Sequence, residues 1–194
     1  MAIRKIARMG HPVLRQVARD LTFQEIKSPE IKRLIQDMIE TMEDAGGIGL
    51  AAPQIHESIQ LAIIGYEEDN ERYPDSGDDE GQPLSVFINP KITVLDPTEQ
   101  GFWEGCLSVP ELRGLVYRPK KIQVDYLDIN GKPKSLVAEN FLATVFQHEL
   151  DHLAGILYVD RIKSGPGTTP ISFTEEYQKY LAPQPDDDIG ELED

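Results

Sequence analysis

Cysteine is almost absent from this 194-residue chain: Cys106 stands alone, so no intramolecular disulfide can form and a secreted disulfide scaffold is excluded. Long apolar runs are missing too. Stretches such as Leu61-Ala62-Ile63-Ile64 fall far short of the roughly 20 residues a membrane-spanning helix needs. The N-terminal MAIRKIARMGH lacks the apolar region of a secretory signal. Basic residues are scarce, with 19 Lys+Arg against 34 Asp+Glu and a net charge of −15. Residues 67–81 carry −7 of this and residues 186–194 carry −6, leaving a body of −2 with two acidic appendages. Direct nucleic-acid binding, which needs a clustered basic face, is not expected, and neither is a membrane partner. The acid serves solubility. A cytoplasmic protein is the starting class, or one of an organelle's stroma or matrix if the chain is a processed form.

What remains, 40% hydrophobic and 27% charged residues, suits one soluble core. Ser28 and Pro29 open a helical pattern in which Ile31, Leu34, Ile35, Met38, Ile39 and Met42 recur every three or four positions, and Gly46-Gly47 stop it. Thr22 to Glu25 fit a capping box ahead of it. From 47 to 139 the period shifts towards two, predicting strands at 60–66, 85–89, 91–95, 115–117, 121–127 and 134–138, with a hairpin turn at Asp128-Ile129-Asn130-Gly131. The acidic 67–81 stretch reads as a solvated loop. A second helix is expected from about Asn140 to Leu153, capped by Asn140 or Glu139 and stopped at Gly155. Beyond Ile162 come a linker, a short amphipathic piece at 174–181 and a disordered acidic tail.

His148-Glu149-Leu150-Asp151-His152 places two histidines four apart on one face of that helix, so both imidazoles can reach a single divalent metal. Glu149 projects about 100° round, within reach of a water whose proton it can take. The bland reading is a chance pairing on an amphipathic helix, but unsatisfied imidazoles on an apolar stripe would be destabilising. A catalytic site wants a third protein ligand. No histidine follows His152, leaving Glu175 or Glu176, as in a zinc metallopeptidase with a downstream glutamate, or Cys106. Cys106 lies in Glu104-Gly105-Cys106-Leu107-Ser108, where glycine permits close backbone approach; alone, it would read as an inert buried thiol. Gly47-Ile48-Gly49-Leu50-Ala51-Ala52-Pro53-Gln54 is a tight extended segment able to pair with a peptide by strand addition, or else a buried helix-to-strand connection.

GIGLAAPQ (47–54), EGCLS (104–108) and QHELDHLAG (147–155), in that order and separation, closely resemble the three signature motifs of the peptide deformylases. The resemblance extends over roughly residues 5–162. It implies an α+β fold of small antiparallel β-sheets packed around a central metal-binding helix, with a catalytic domain at 1–165 and a C-terminal extension at 166–194. It implies that Cys106, His148 and His152 bind one divalent metal ion, Fe2+ in the native form, with Zn2+, Ni2+ or Co2+ as substitutes. The reaction implied is removal of the N-formyl group from the N-terminal formyl-methionine of nascent peptides, releasing formate. Glu149 would be base and then acid, with the Gln54 side chain and the Leu107 backbone N–H stabilising the oxyanion. Substrate would run along Ile48 and Gly49, with its methionine near Phe141, Thr144, Val145 and Arg113. Glu104 would hold the Cys106 loop, or form an ion pair with Arg113. His11 and His56 are left as structural or surface residues. In bacterial members of the family a basic C-terminal extension can dock on the ribosome; the acidic 186–194 puts that mode of transient ribosome association in doubt.

Overall fold

A computed structural model describes residues 2–67, 81–163, 165 and 170–181. Most of the acidic 67–81 stretch and the whole of 186–194 lie outside the described residues.

Helix α1 (Phe23–Ile26) opens with the expected capping box: Thr22 accepts from the Glu25 N–H, and Glu25 reaches back to Thr22. Helix α2 (Pro29–Asp44) starts at Ser28, whose hydroxyl accepts from the Ile31 N–H, and places Pro29 in the first turn, where its missing N–H is harmless. The strands are β1 (Gly49–Ala51), β2 (Leu61–Tyr66), β3 (Gln82–Cys106), β4 (Val109–Leu127), β5 (Pro133–Glu139) and β6 (Ile171–Phe173). They pair antiparallel in the order β1-β2-β3-β4-β5, with β6 on β4.

Two pairs of predicted strands are each a single strand. Segments 85–89 and 91–95 fall within β3, and 115–117 and 121–127 within β4. Pro90 separates the first pair in the sequence reading, yet it sits where the β3–β4 register slips, at Ile88/Lys91, and Pro97 sits at a second slip, Asp96/Glu99. A bulge is where a proline's missing donor is tolerated, so the strands bend there without ending. The 128–131 turn forms as expected, the Gly131 N–H donating to Asp128 O with Gly131 at φ +73°.

Alternation along β2 divides the core. Leu61 and Ile63 face a cluster with Leu34, Met38 and Met42 of α2, while Ile64 joins one with Phe141, Val145 and Phe146 of helix α3 (Asn140–Leu153). Helix α3 is buried on nearly all sides, which is why its polar residues need partners. Its start corrects the capping expectation: neither Glu139 nor Asn140 caps it with a side chain. Asn140 instead takes φ +52°, and its carbonyl accepts from Gln100 Nε2 at 2.7 Å. Gly155, at φ +74°, follows the helix end. The amphipathic piece is helix α4 (Thr174–Tyr180), whose Tyr177 ring packs 5.1 Å from Trp103. Among the described residues no helix is long and apolar enough to cross a membrane.

Candidate metal centre and active site

Three buried donors converge where the end of β3 meets the last turns of α3. The ligand atoms of Cys106, His148 and His152 all lie within 4.8 Å of one another. Cys106 Sγ is 3.3 Å from His152 Nε2, and the Ser108 N–H and Gln54 Nε2 approach the sulfur at 3.4 and 3.6 Å. Glu104 Oε2 accepts from His148 Nδ1 at 2.7 Å, which leaves Nε2 to face the thiol. One thiolate and two imidazoles, presented together, fit a tetrahedral divalent ion with a position to spare. The peptidase alternative is corrected here: Glu175 and Glu176 are exposed on α4 and contribute nothing to this cluster.

Electrostatics favour a ready thiolate. Burial pushes the Cys106 thiol up, but charge on His152 and hydrogen bonds from both histidines outweigh it and hold it well below the usual thiol range. Burial works against charge on His148 as well, yet its bonds to Cys106 and Glu104 hold it well above the usual imidazole range. Burial dominates at Glu149 and raises its carboxyl. Among the described residues, Glu149 Oε2 and His152 Nδ1 are buried without a hydrogen-bond partner, the second being the ring nitrogen opposite the Nε2 that faces Cys106.

An open pocket reaches this centre. Its walls include Ile48, Gly49, Gln54, Glu104, Leu107, Phe141, Thr144, Val145, His148 and Glu149, so the structure brings together nearly all of the predicted site residues. Gly49 lets the Glu149 carboxyl lie flat against β1, since a Cβ there would fall 2.4 Å from Oε1. Because Ile48 O accepts from the Gly65 N–H, ladder alternation aims the N–H and C=O of Gly49 away from β2, to the open edge of the sheet. Gln54 is held in orientation by the Ala51 N–H on its Oε1 at 2.8 Å, turning its amide nitrogen towards Cys106 and Ser108 Oγ.

Arg113 is the exception. It lines a neighbouring groove with Glu111 and Phe173, against the Tyr177 ring, and is not part of the cavity wall. Nor is it the partner of Glu104, which binds Arg118 at 2.6 and 3.0 Å. Strand parity explains both corrections: Glu104 pairs with Gly114, so Arg118, an even step along β4, shares its face, and Arg113 points to the other. Asp151, bonded to Arg118 at 2.8 Å and to Arg161 at 2.7 Å, was also missed by sequence reasoning. The signal available was the helix face one residue before His152, facing a buried arginine that needed a second anion.

A family model described as polypeptide deformylase matches residues 3–166. The chain belongs to the peptide deformylase family. It is 50% identical over 164 residues to a peptide deformylase of Leptospira biflexa, covering 84% of this chain and 90% of that protein. It is 46% identical to peptide deformylase 2 of Pseudomonas syringae, covering 82% and 87%. Among solved structures it resembles a Met-Ala-Ser-bound class I type b peptide deformylase of Acinetobacter baumannii, with TM-score 0.77, 35% identity and coverage of 83% of this chain and 99% of that one. Peptide deformylases are metal-dependent hydrolases that remove the N-formyl group from nascent polypeptides, and their mixed helix and antiparallel-sheet fold is the one seen here. The family's single metal ion agrees with the Cys-His-His cluster.

Proposed function

We propose that Cys106, His148 and His152 are the metal ligands of this deformylase, that Glu149 moves the proton, and that formyl-methionyl nascent peptides bind along the Gly49 edge. The observation carrying this reading is the convergence of the three buried donors with a partnerless Glu149 carboxylate at the floor of one cavity. A divalent ion held there supplies Lewis acidity and makes a water nucleophilic near neutral pH. Fe2+ is the native ion, with Zn2+, Ni2+ or Co2+ as substitutes, since a thiolate with two imidazoles suits all of them.

Glu149 takes the proton of the attacking water and returns it to the amide nitrogen that leaves with the methionine, so formate departs and the peptide gains a free amine. Its raised affinity for a proton suits both halves of that task. Gln54 Nε2 and the Leu107 N–H face the formyl oxygen as charge develops. The outward N–H and C=O of Gly49 extend the sheet with the substrate backbone, and Phe141, Thr144 and Val145 receive the methionine side chain. Arg113 serves the downstream residues from the adjoining groove. The catalytic unit is residues 1–165, consistent with a family match ending at 166, and 166–194 is an extension docked through β6 and α4. The protein works in the cytoplasm, where its lone thiol stays reduced. Any ribosome contact is transient and avoids the acidic tail.

Formate release from formyl-Met-Ala-Ser by anaerobically purified protein tests the assignment. Wild type should turn over, Cys106→Ala should lose both metal and activity, and Glu149→Ala should keep metal and lose rate. A fully active Cys106→Ala would sink it.

A further inference from the structure

We propose that Arg118 is a positioning residue of the metal centre, whose guanidinium orients His148 through Glu104 and seats the turn of α3 that carries both histidines. The proposal rests on the reading of Cys106, His148 and His152 as the ligands. Arg118 touches none of these three. It is 3% exposed, as is Glu104, and it donates from all three guanidinium nitrogens.

Two of those bonds fix a carboxylate plane. Nε donates to Glu104 Oε1 at 2.6 Å and Nη2 donates to Oε2 at 3.0 Å. Held this way, Oε2 stands 2.7 Å from His148 Nδ1. A carboxylate only accepts, so the proton belongs on Nδ1 and the Nε2 lone pair is the one offered to an ion. The third bond runs from Nη1 to Asp151 Oδ2 at 2.8 Å. Asp151 immediately precedes His152, so one side chain of β4 bolts the end of the sheet to the helical turn bearing the ligands. Arg161 backs Asp151 from the more exposed side.

The shape of the group matters as much as its charge. A guanidinium presents its donors in a rigid planar fork and can grip two carboxylates at once; an ammonium on a flexible stem cannot reproduce three fixed directions. Without the fork, Glu104 is a buried carboxylate free to turn from His148, and the α3 turn loses its tie to β4.

The test compares wild type, Arg118→Lys, Arg118→Met and Glu104→Gln, each loaded anaerobically with Co2+ and titrated with a chelator while the cobalt–thiolate absorption is followed. Circular dichroism and a thermal melt report folding. We expect one Co2+ per wild-type chain and a 10- to 100-fold loss of affinity, about the range seen for such supporting partners, in both Arg118 variants, with KM for the formyl peptide unchanged. The double variant Arg118→Met/Glu104→Gln should lose no more than the worse single one, because both act on the same histidine. A folded Arg118→Lys with wild-type affinity overturns the proposal, and so does a double variant whose losses multiply. Should Arg118→Met fail to fold, Arg118→Lys and Glu104→Gln decide the matter. A wild type that takes up no Co2+ overturns the ligand assignment itself, and this inference with it.

Discussion

Gly49 and Glu149 are a pair defined by contact, and either can be perturbed alone. Adding one methyl at position 49 would place it 2.4 Å from Oε1 and 2.7 Å from the carboxyl carbon of Glu149, so the carboxylate proposed as base must move. Gly49→Ala should therefore lower kcat by about 100-fold with metal content unchanged, since displacement of a reacting group by an ångström has that order of effect. Metal analysis beside steady-state kinetics checks it, and a variant with wild-type kcat would show that the carboxylate has no fixed seat. The paired histidines were legible in the sequence because helix periodicity alone puts His148 and His152 on one face, whereas the third donor stayed open between Cys106 and the late glutamates until the family resemblance pointed to the thiol. Arg118 and Asp151 were not. Their meeting depends on which face of β4 an arginine occupies relative to Glu104, and that is set by the β3–β4 register, which no local pattern announces.

Among the elements, the starts of α1 and α2 were the easiest to read, because each is marked by a cap bond between residues three apart, a bond that α3 lacks. Ser28→Ala should cost about 1 kcal/mol in unfolding free energy by removing the acceptor for the Ile31 N–H, measurable by urea denaturation. At α1 the partner of the cap is Glu25, held down to about 2 from its ordinary 4.5, first by its bond to Arg19 and then by its bonds to Thr22. A lowered carboxylate stabilises the fold above its unfolded pKa, and that contribution fades as pH falls from about 4.5 towards 2. The stability gap between wild type and Glu25→Gln should thus be full at neutral pH and close on acidification. A gap independent of pH would contradict the assignment. Strand lengths were the hardest feature to read. Proline and asparagine carry the same local signal in a turn as in a bulge, and only a partner strand, distant in sequence, tells the two apart.

At the scale of the molecule, the extension beyond residue 166 is tied to the body. β6 pairs with β4 from Leu112 to Gly114, and Tyr177 is 2% exposed beneath Trp103. Truncation after Gly165 should lower the melting temperature by several degrees, whereas truncation after Pro183, outside the described residues, should leave stability and formate release unchanged. A melting curve of each settles the comparison, and loss of turnover in the longer truncate would assign the tail a role. Metal removal acts on the whole fold as well. An ion that binds only the native state stabilises it by about 1.4 kcal/mol for each tenfold excess over Kd, so chelation should lower the melting point in wild type and leave Cys106→Ala unmoved.

The donors also lie far apart along the chain, Cys106 closing β3 and both histidines waiting on α3. Synthesis from the N-terminus therefore releases the thiol before the helix that will bury it exists. In that interval Cys106 is an ordinary cysteine on an unfinished hairpin, open to oxidants that the completed core excludes. Oxidation of Cys106 in that interval would remove a thiolate from the Cys-His-His cluster before it assembles. More reducing growth conditions should raise the fraction of chains able to take up metal while leaving turnover per bound ion the same.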